Sequence, residues 1–145
     1  MIILKNSTDI NDDIREKLNE FILKSFNETR LYTYDKVVYY SNDSDSNNNN
    51  HMIIGFIGIN VFDETILISQ LCTDTNYRNK GIATQLLEFI ETTFNSNLIL
   101  YIKNDSNYKK LYDFYTKRGF IQVYNDSIKY KMKKKLLIST FYQSH

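Results

Sequence analysis

The segment Leu71-Cys72-Thr73-Asp74-Thr75-Asn76-Tyr77-Arg78-Asn79-Lys80-Gly81-Ile82-Ala83-Thr84-Gln85-Leu86-Leu87 constrains this chain more than any other. An apolar run ends at Thr73, and an amphipathic helical pattern begins near Lys80. The backbone between them must turn tightly and present N–H groups outward. Amides at a helix start have no intrahelical acceptor and lie at the positive end of the helix dipole, so such a turn is suited to hold a pyrophosphate. Gly81 and Ala83 keep side-chain bulk away from those amides. The chain has 4 glycines, and Ala83 is its one alanine. Small residues are scarce, and two fall at the spacing R-x-x-G-x-A.

That spacing resembles the acyl-CoA loop of the GNAT superfamily of N-acetyltransferases, Q/R-x-x-G-x-G/A. Leu71, Tyr77, Arg78, Lys80, Gly81 and Ile82 match the longer family pattern, while Thr73, Thr75 and Asn79 replace its Val, Pro and first loop Gly. A second landmark lies downstream: Phe114-Tyr115-Thr116-Lys117-Arg118-Gly119-Phe120 is similar to the family's h-Y-x-x-x-G-F. No Walker P-loop spacing and no G-x-G-x-x-G occurs.

At 145 residues the chain fits one domain spanning 1–145 with a self-sufficient core. A net charge of +1 argues against a nucleic-acid partner, since such domains are usually strongly basic. No run approaches the roughly 20 apolar residues of a membrane span, and Met1 to Lys5 reads as a first strand instead of a signal peptide. Cys72 is the single cysteine, so no internal disulfide forms and a cytoplasmic setting is expected. A lone strand cysteine is expected to pack, not to act as a nucleophile. His51 and His145 show no metal spacing, so no metal is expected.

In chain order, Met1 to Lys5 is a strand. A helix follows, capped by Thr8 or Asp9, with Ile10, Ile14, Leu18, Phe21, Ile22 and Phe26 at helical spacing. Glu28 to Asp35 is irregular or a short helix, and Lys36 to Tyr40 a strand. Residues 42–50 are polar and low in complexity, the pattern of a mobile loop. Met52 to Val61 and Thr65 to Thr73 are strands joined by a turn. A helix is expected from Lys80 to Phe94. Leu98 to Ile102 is a continuous apolar strand, the pattern of one covered on both faces. A further helix runs from Asn107 to Arg118, ended by Gly119. Phe120 to Tyr124 and Ser127 to Lys133 form a hairpin, and residues 136–145 are a C-terminal extension. The fold class is α/β. This order resembles the GNAT fold, which implies a central mixed, twisted sheet of about seven strands with helices on both faces.

The resemblance implies acetyl-CoA as acyl donor, bound where two parallel strands, Thr65–Thr73 and Leu98–Ile102, splay apart. Leu71, Cys72 and Thr73 would pair with its pantetheine arm, and Arg78, Asn79, Lys80, Gly81, Ile82, Ala83 and Thr84 would hold its pyrophosphate. Tyr115 matches the family tyrosine that protonates the departing thiolate. A tyrosine stays protonated at neutral pH because its pKa is about 10. The family asparagine that touches the CoA arm is Tyr108 here. No carboxylate stands at the family's base position on the strand before the loop, so a water path positioned by Ser69 or Gln70 is expected. Tyr32 and Tyr34 are placed at the acceptor entrance. The first helical region leans acidic, with Asp9, Asp12, Asp13, Glu16, Glu20, Glu28 and Asp35 against Arg15, Lys17, Lys24 and Arg30, which suits a cationic amine. The expected activity is transfer of an acetyl group to a primary amine of a small molecule, by a monomer or homodimer. A protein or peptide acceptor, and a non-catalytic acyl-CoA-binding module, are the open alternatives.

Overall fold

The apolar runs pair into one sheet that positions the loop. The computed structural model describes residues 1–26, 34–42, 52–78 and 80–135. In chain order these form β1 (Ile2–Asn6), α1 (Asp12–Phe26), β2 (Lys36–Asn42), β3 (Met52–Phe62), β4 (Thr65–Thr73), α2 (Ile82–Phe94), β5 (Asn97–Lys103), α3 (Tyr108–Thr116), β6 (Ile121–Asn125) and β7 (Lys129–Lys134). The sheet has seven strands in the order β1-β2-β3-β4-β5-β7-β6. Its neighbours are antiparallel except β4 and β5, the one parallel pair among the described residues.

Helices cover both faces. On one, Leu18 and Ile22 of α1 pack with Val37, Tyr39, Ile53 and Phe56. On the other, Ile82, Leu86, Leu87 and Ile90 of α2 recur at helical spacing, each at most 7 % exposed, against Ile57, Ile66, Ile68 and Leu98. Burying each such side chain is worth about 1.5–3 kcal/mol, so this stripe seats α2 firmly. Gly55 of β3 lies directly beneath it: a Cβ there would meet Ile82 Cγ2 at 2.7 Å and Leu86 Cδ1 at 3.0 Å.

Several sequence expectations are corrected. The cap of α1 is Asn11, whose Oδ1 accepts from the Ile14 amide at 2.9 Å. Thr8 and Asp9 lie in a 3-10 turn held back by Ser7, whose amide bonds the Asp35 carbonyl and whose hydroxyl bonds the Tyr34 carbonyl. Helix α2 starts at Ile82, two positions later than Lys80. Strand β2 continues through Ser41 and Asn42, one residue into the expected loop. Strand β5 is not covered on both faces: Leu98, Leu100 and Ile102 are buried, whereas Tyr101 is 43 % exposed. The doubly covered strand is β3, because α1 and α2 sandwich the centre of the sheet and leave its β5–β7 side open on one face. The expectations for 27–33 (Tyr32 among them), 43–50, Asn79 and 136–145 fall outside the described residues. Among the described residues no helix is long and apolar enough to cross a membrane.

Candidate active site

Strands β4 and β5 pair only at Thr65–Asn97, Ile66–Leu98 and Leu67–Ile99. Beyond Leu67, β4 stays bonded to β3 but not to β5. The register against β3 shifts at this point: Ile59 faces Ile68 and Gly58 faces Gln70, so Ser69 is an extra, bulged residue. A bulge bends its strand and increases the local twist, which accounts for β4 swinging away from β5. Leu71, Cys72 and Thr73 therefore pair with Ile57, Phe56 and Gly55 along one edge while their other edge faces the gap. Strand backbone that faces such a gap can accept an extended ligand as a further strand.

The chain leaves β4 through Asp74, whose amide bonds the Ile54 carbonyl and whose side chain accepts from the Asn76 amide, both at 2.9 Å. Tyr77 anchors the 3-10 turn that follows, its hydroxyl accepting from Asn42 Nδ2 at 3.3 Å. Arg78 and Lys80 are exposed, and Lys80 Nζ lies 5.3 Å from the centroid of the Tyr77 ring. Gly81 is left-handed at φ +78 and provides no side-chain cap to α2. The amides of Ile82, Ala83 and Thr84 thus open a helix of 13 residues without a capping side chain. Among the described residues the nearest atom to a Cβ on Gly81, its chain neighbours aside, would be Gln85 Nε2 at 3.9 Å, so none of them crowds the space before these amides. Gly81 is favoured by its left-handed conformation, and among the described residues no crowding adds to that requirement.

Helix α3 packs on β5 and brings Tyr115 into the cluster that includes Ile82, Leu86 and Leu100. Tyr115 is 7 % exposed, edge-on to Phe114 and Phe120 at 5.1 and 5.4 Å. Burial pushes its phenol above the usual tyrosine value, and the nearby Arg118 charge opposes part of that rise. Arg118 donates to Thr84 Oγ1 from Nε at 2.9 Å and Nη2 at 2.6 Å, so the first turn of α2 is tied to the end of α3.

The other expected site residues are placed as follows. Ser69 donates to Asn60 Oδ1 at 2.7 Å. Gln70 Oε1 is buried with no hydrogen-bond partner among the described residues. Tyr34 is 4 % exposed, its ring 5.7 Å from that of Phe56 and against Gly58, the register partner of Gln70. It therefore forms part of the core beneath the bulge, not the rim of an entrance. Cys72 packs partly buried against the α1-side cluster. Of the acidic residues near α1, Asp35 accepts from the Val61 amide at 2.7 Å and Asp13 pairs with Lys17 at 3.5 Å, while Asp12, Glu16 and Glu20 are exposed. Among the described residues no group of His, Cys, Asp and Glu is arranged to hold a metal. Sequence reasoning missed Arg118, Gly55 and the Ser69 bulge. Only the Arg-Gly pair before Phe120 offered a signal for the first, and nothing local marked the other two.

A family model described as an acetyltransferase (GNAT) domain matches residues 37–122. None of the curated proteins matches the sequence. Among solved structures, Arabidopsis thaliana NAA60 in complex with a bisubstrate analogue superposes with a TM-score of 0.71 at 14 % identity, covering 93 % of this chain and 99 % of that one. An aminoglycoside 6'-N-acetyltransferase complexed with coenzyme A gives 0.71 at 15 % identity, covering 93 % and 97 %. Ard1 from Thermoplasma volcanium gives 0.69 at 17 % identity, covering 94 % and 98 %. Those likenesses are of the whole fold, and the family match spans more than half the chain, so this protein belongs to the GNAT acetyltransferases and is an acyltransferase.

Proposed function

We propose that the chain transfers an acetyl group from acetyl-CoA to the primary amine of a small cationic molecule, by direct attack on the thioester. The observation that carries this reading is the gap between β4 and β5 beside the uncapped start of α2. The edge of Leu71, Cys72 and Thr73 that faces the gap from β5 fits an amide-bearing arm. The amides of Ile82, Ala83 and Thr84 fit a pyrophosphate, with Arg78 and Lys80 alongside. The donor supplies an activated acyl carbon and a thiolate leaving group.

The attacking amine must be neutral, and an alkyl ammonium with a pKa of about 10.4 has to lose a proton first. Ser69 and Gln70 sit at the bulge, and the buried Gln70 carbonyl, which has no partner among the described residues, supports a role in accepting from the amine or from the water that carries its proton away. Attack breaks the carbon–sulfur bond and forms the amide, and Tyr115 gives its phenolic proton to the sulfur. Burial makes Tyr115 a weaker acid than a free tyrosine. The same apolar surroundings raise the basicity of a thiolate released into them, so the two shifts run together and the transfer stays feasible.

The acceptor class rests on the exposed carboxylates Asp12, Glu16 and Glu20 and on the near-neutral whole. Two of the similar structures are named for different substrates, an aminoglycoside and a bisubstrate analogue of NAA60, so the fold alone does not choose. The lone cysteine supports a reducing compartment. A thiol-release assay with acetyl-CoA against polyamines, aminoglycosides, amino acids and peptides tests the proposal. Small cationic amines should turn over, more slowly as salt rises, because screening cuts the reach of exposed carboxylates to about 8 Å at physiological ionic strength. Their rates should climb with pH as the free base grows. Release with peptides alone, indifferent to salt, would refute the small-amine acceptor and leave the acyltransferase.

A further inference from the structure

Neither sequence landmark gives Arg118 a role, yet its guanidinium is held by several partners at once. Besides the two bonds to Thr84 Oγ1, its Nη1 donates to the Phe114 carbonyl at 2.7 Å, and its guanidinium carbon lies 3.6 Å from the centroid of the Phe114 ring. Its own amide bonds the Tyr115 carbonyl at 3.0 Å. The side chain thus spans from the turn that carries Tyr115 to the first turn of α2.

We infer that Arg118 is a positioning residue for the acyl donor: it turns the Thr84 hydroxyl into a donor aimed at an anion and locks that turn of α2 to the Tyr115 turn of α3. The inference rests on the proposed donor site and deepens it.

A hydroxyl has two lone pairs and one hydrogen. Arg118 occupies both lone pairs of Thr84, so the hydrogen is left to donate, and Thr84 makes no other hydrogen bond among the described residues. A side chain in the first turn of a helix leans toward the helix N-terminus, which here is the open space beside Gly81. Contact with a cation polarises the hydroxyl and strengthens that donor.

The electrostatics agree. A guanidinium beside a helix start meets the positive end of the dipole, which is unfavourable unless an anion lies between. Among the described residues no carboxylate pairs with Arg118 to supply it. A diphosphate bound to the α2 amides would satisfy the dipole, the hydroxyl and the guanidinium together. Only the planar fork of arginine makes all three side-chain contacts at once; a lysine has the charge but not the geometry.

The test compares Arg118→Met, Thr84→Val and Thr84→Ser, singly and with the first two combined. Calorimetric Kd for CoA is measured, together with kcat/KM for acetyl-CoA and for acetylpantetheine, a donor lacking the diphosphate. Arg118→Met and Thr84→Val should each weaken CoA binding by about tenfold, the size of one charge-assisted hydrogen bond. The double variant should be no weaker than the worse single, and Thr84→Ser should bind like the parent. Acetylpantetheine turnover should fall by less than acetyl-CoA turnover. Arg118→Met or Thr84→Val with CoA affinity within twofold of the parent overturns the inference, as do additive losses or equal losses with both donors. Should Arg118→Met not fold, the isosteric Thr84→Val decides alone. Parent protein that fails to bind CoA would remove the donor site itself, an outcome seen before any variant is made.

Discussion

Gly81 separates two explanations for a glycine in the loop, and they predict opposite orders for two substitutions. It is left-handed at φ +78, and among the described residues beyond its chain neighbours a Cβ added there meets nothing closer than Gln85 Nε2 at 3.9 Å. Alanine should therefore cost only the left-handed penalty of about 1–2 kcal/mol. Asparagine should cost less, because its short polar side chain visits that region more readily. At about 3–4 °C per kcal/mol for a chain of this size, Gly81→Ala should melt roughly 3–8 °C below the parent and Gly81→Asn closer to it. Coenzyme binding acts in the other direction. At a hundred times Kd, linkage stabilises the parent by about 2.7 kcal/mol, a rise of roughly 8–11 °C. If the open space before α2 holds the diphosphate, the larger Asn blocks it more than Ala does. The less strained variant should then be the one that loses the ligand shift. Differential scanning fluorimetry with and without millimolar CoA reads both effects in one experiment. A full ligand shift in Gly81→Asn would refute the placement of the diphosphate, and no shift in the parent would refute coenzyme binding altogether.

Gly55→Ala forces a Cβ to 2.7 Å from Ile82 and should cost about 1–3 kcal/mol in urea unfolding; a loss under about 0.5 kcal/mol would mean that α2 yields without strain. Tyr115→Phe should lower kcat by about 10² to 10⁴-fold at unchanged CoA affinity, and activity within a factor of two would leave solvent as the acid. The Tyr115 pKa is raised in the fold, so its contribution to stability is complete below the unfolded value near 10 and is lost as pH rises through the folded one. Above pH 10 the parent should lose up to about 1.4 kcal/mol more per pH unit than Tyr115→Phe; parallel stability curves would contradict this. Cys72→Ser should stay active if the proposed direct attack holds, since the thiol packs against the α1-side core; trapping an acetylated Cys72 would establish a two-step route.

The features legible in the sequence are those set by neighbours a few residues apart. An apolar run marked β4 and an amphipathic helical pattern marked α2, because a helix that buries one face must repeat its apolar residues with the helical period, while Gly119 marked the end of α3. The scarce small residues at Gly81 and Ala83 marked the turn, since a left-handed position favours glycine locally, whatever packs around it. The start of α1 was misplaced because the capping choice among Thr8, Asp9 and Asn11 was decided by a contact from Ser7 to Tyr34, 27 positions away. Strand β5 was read as doubly covered because an apolar run does not reveal whether a helix lies over it, and Tyr101 shows that on one face none does.

What the sequence by itself determined is the family, the order of elements and the loop that opens α2, all of which rest on local spacing. What only the tertiary structure decided is how the site is assembled. The bulge at Ser69 is a mismatch of register between β3 and β4, and the gap beyond Leu67 exists only once β5 has paired at Ile99. Arg118 meets Thr84 across 34 positions of chain. Register and long-range side-chain contacts depend on where other strands and helices come to rest, and no residue carries that information in its own neighbourhood.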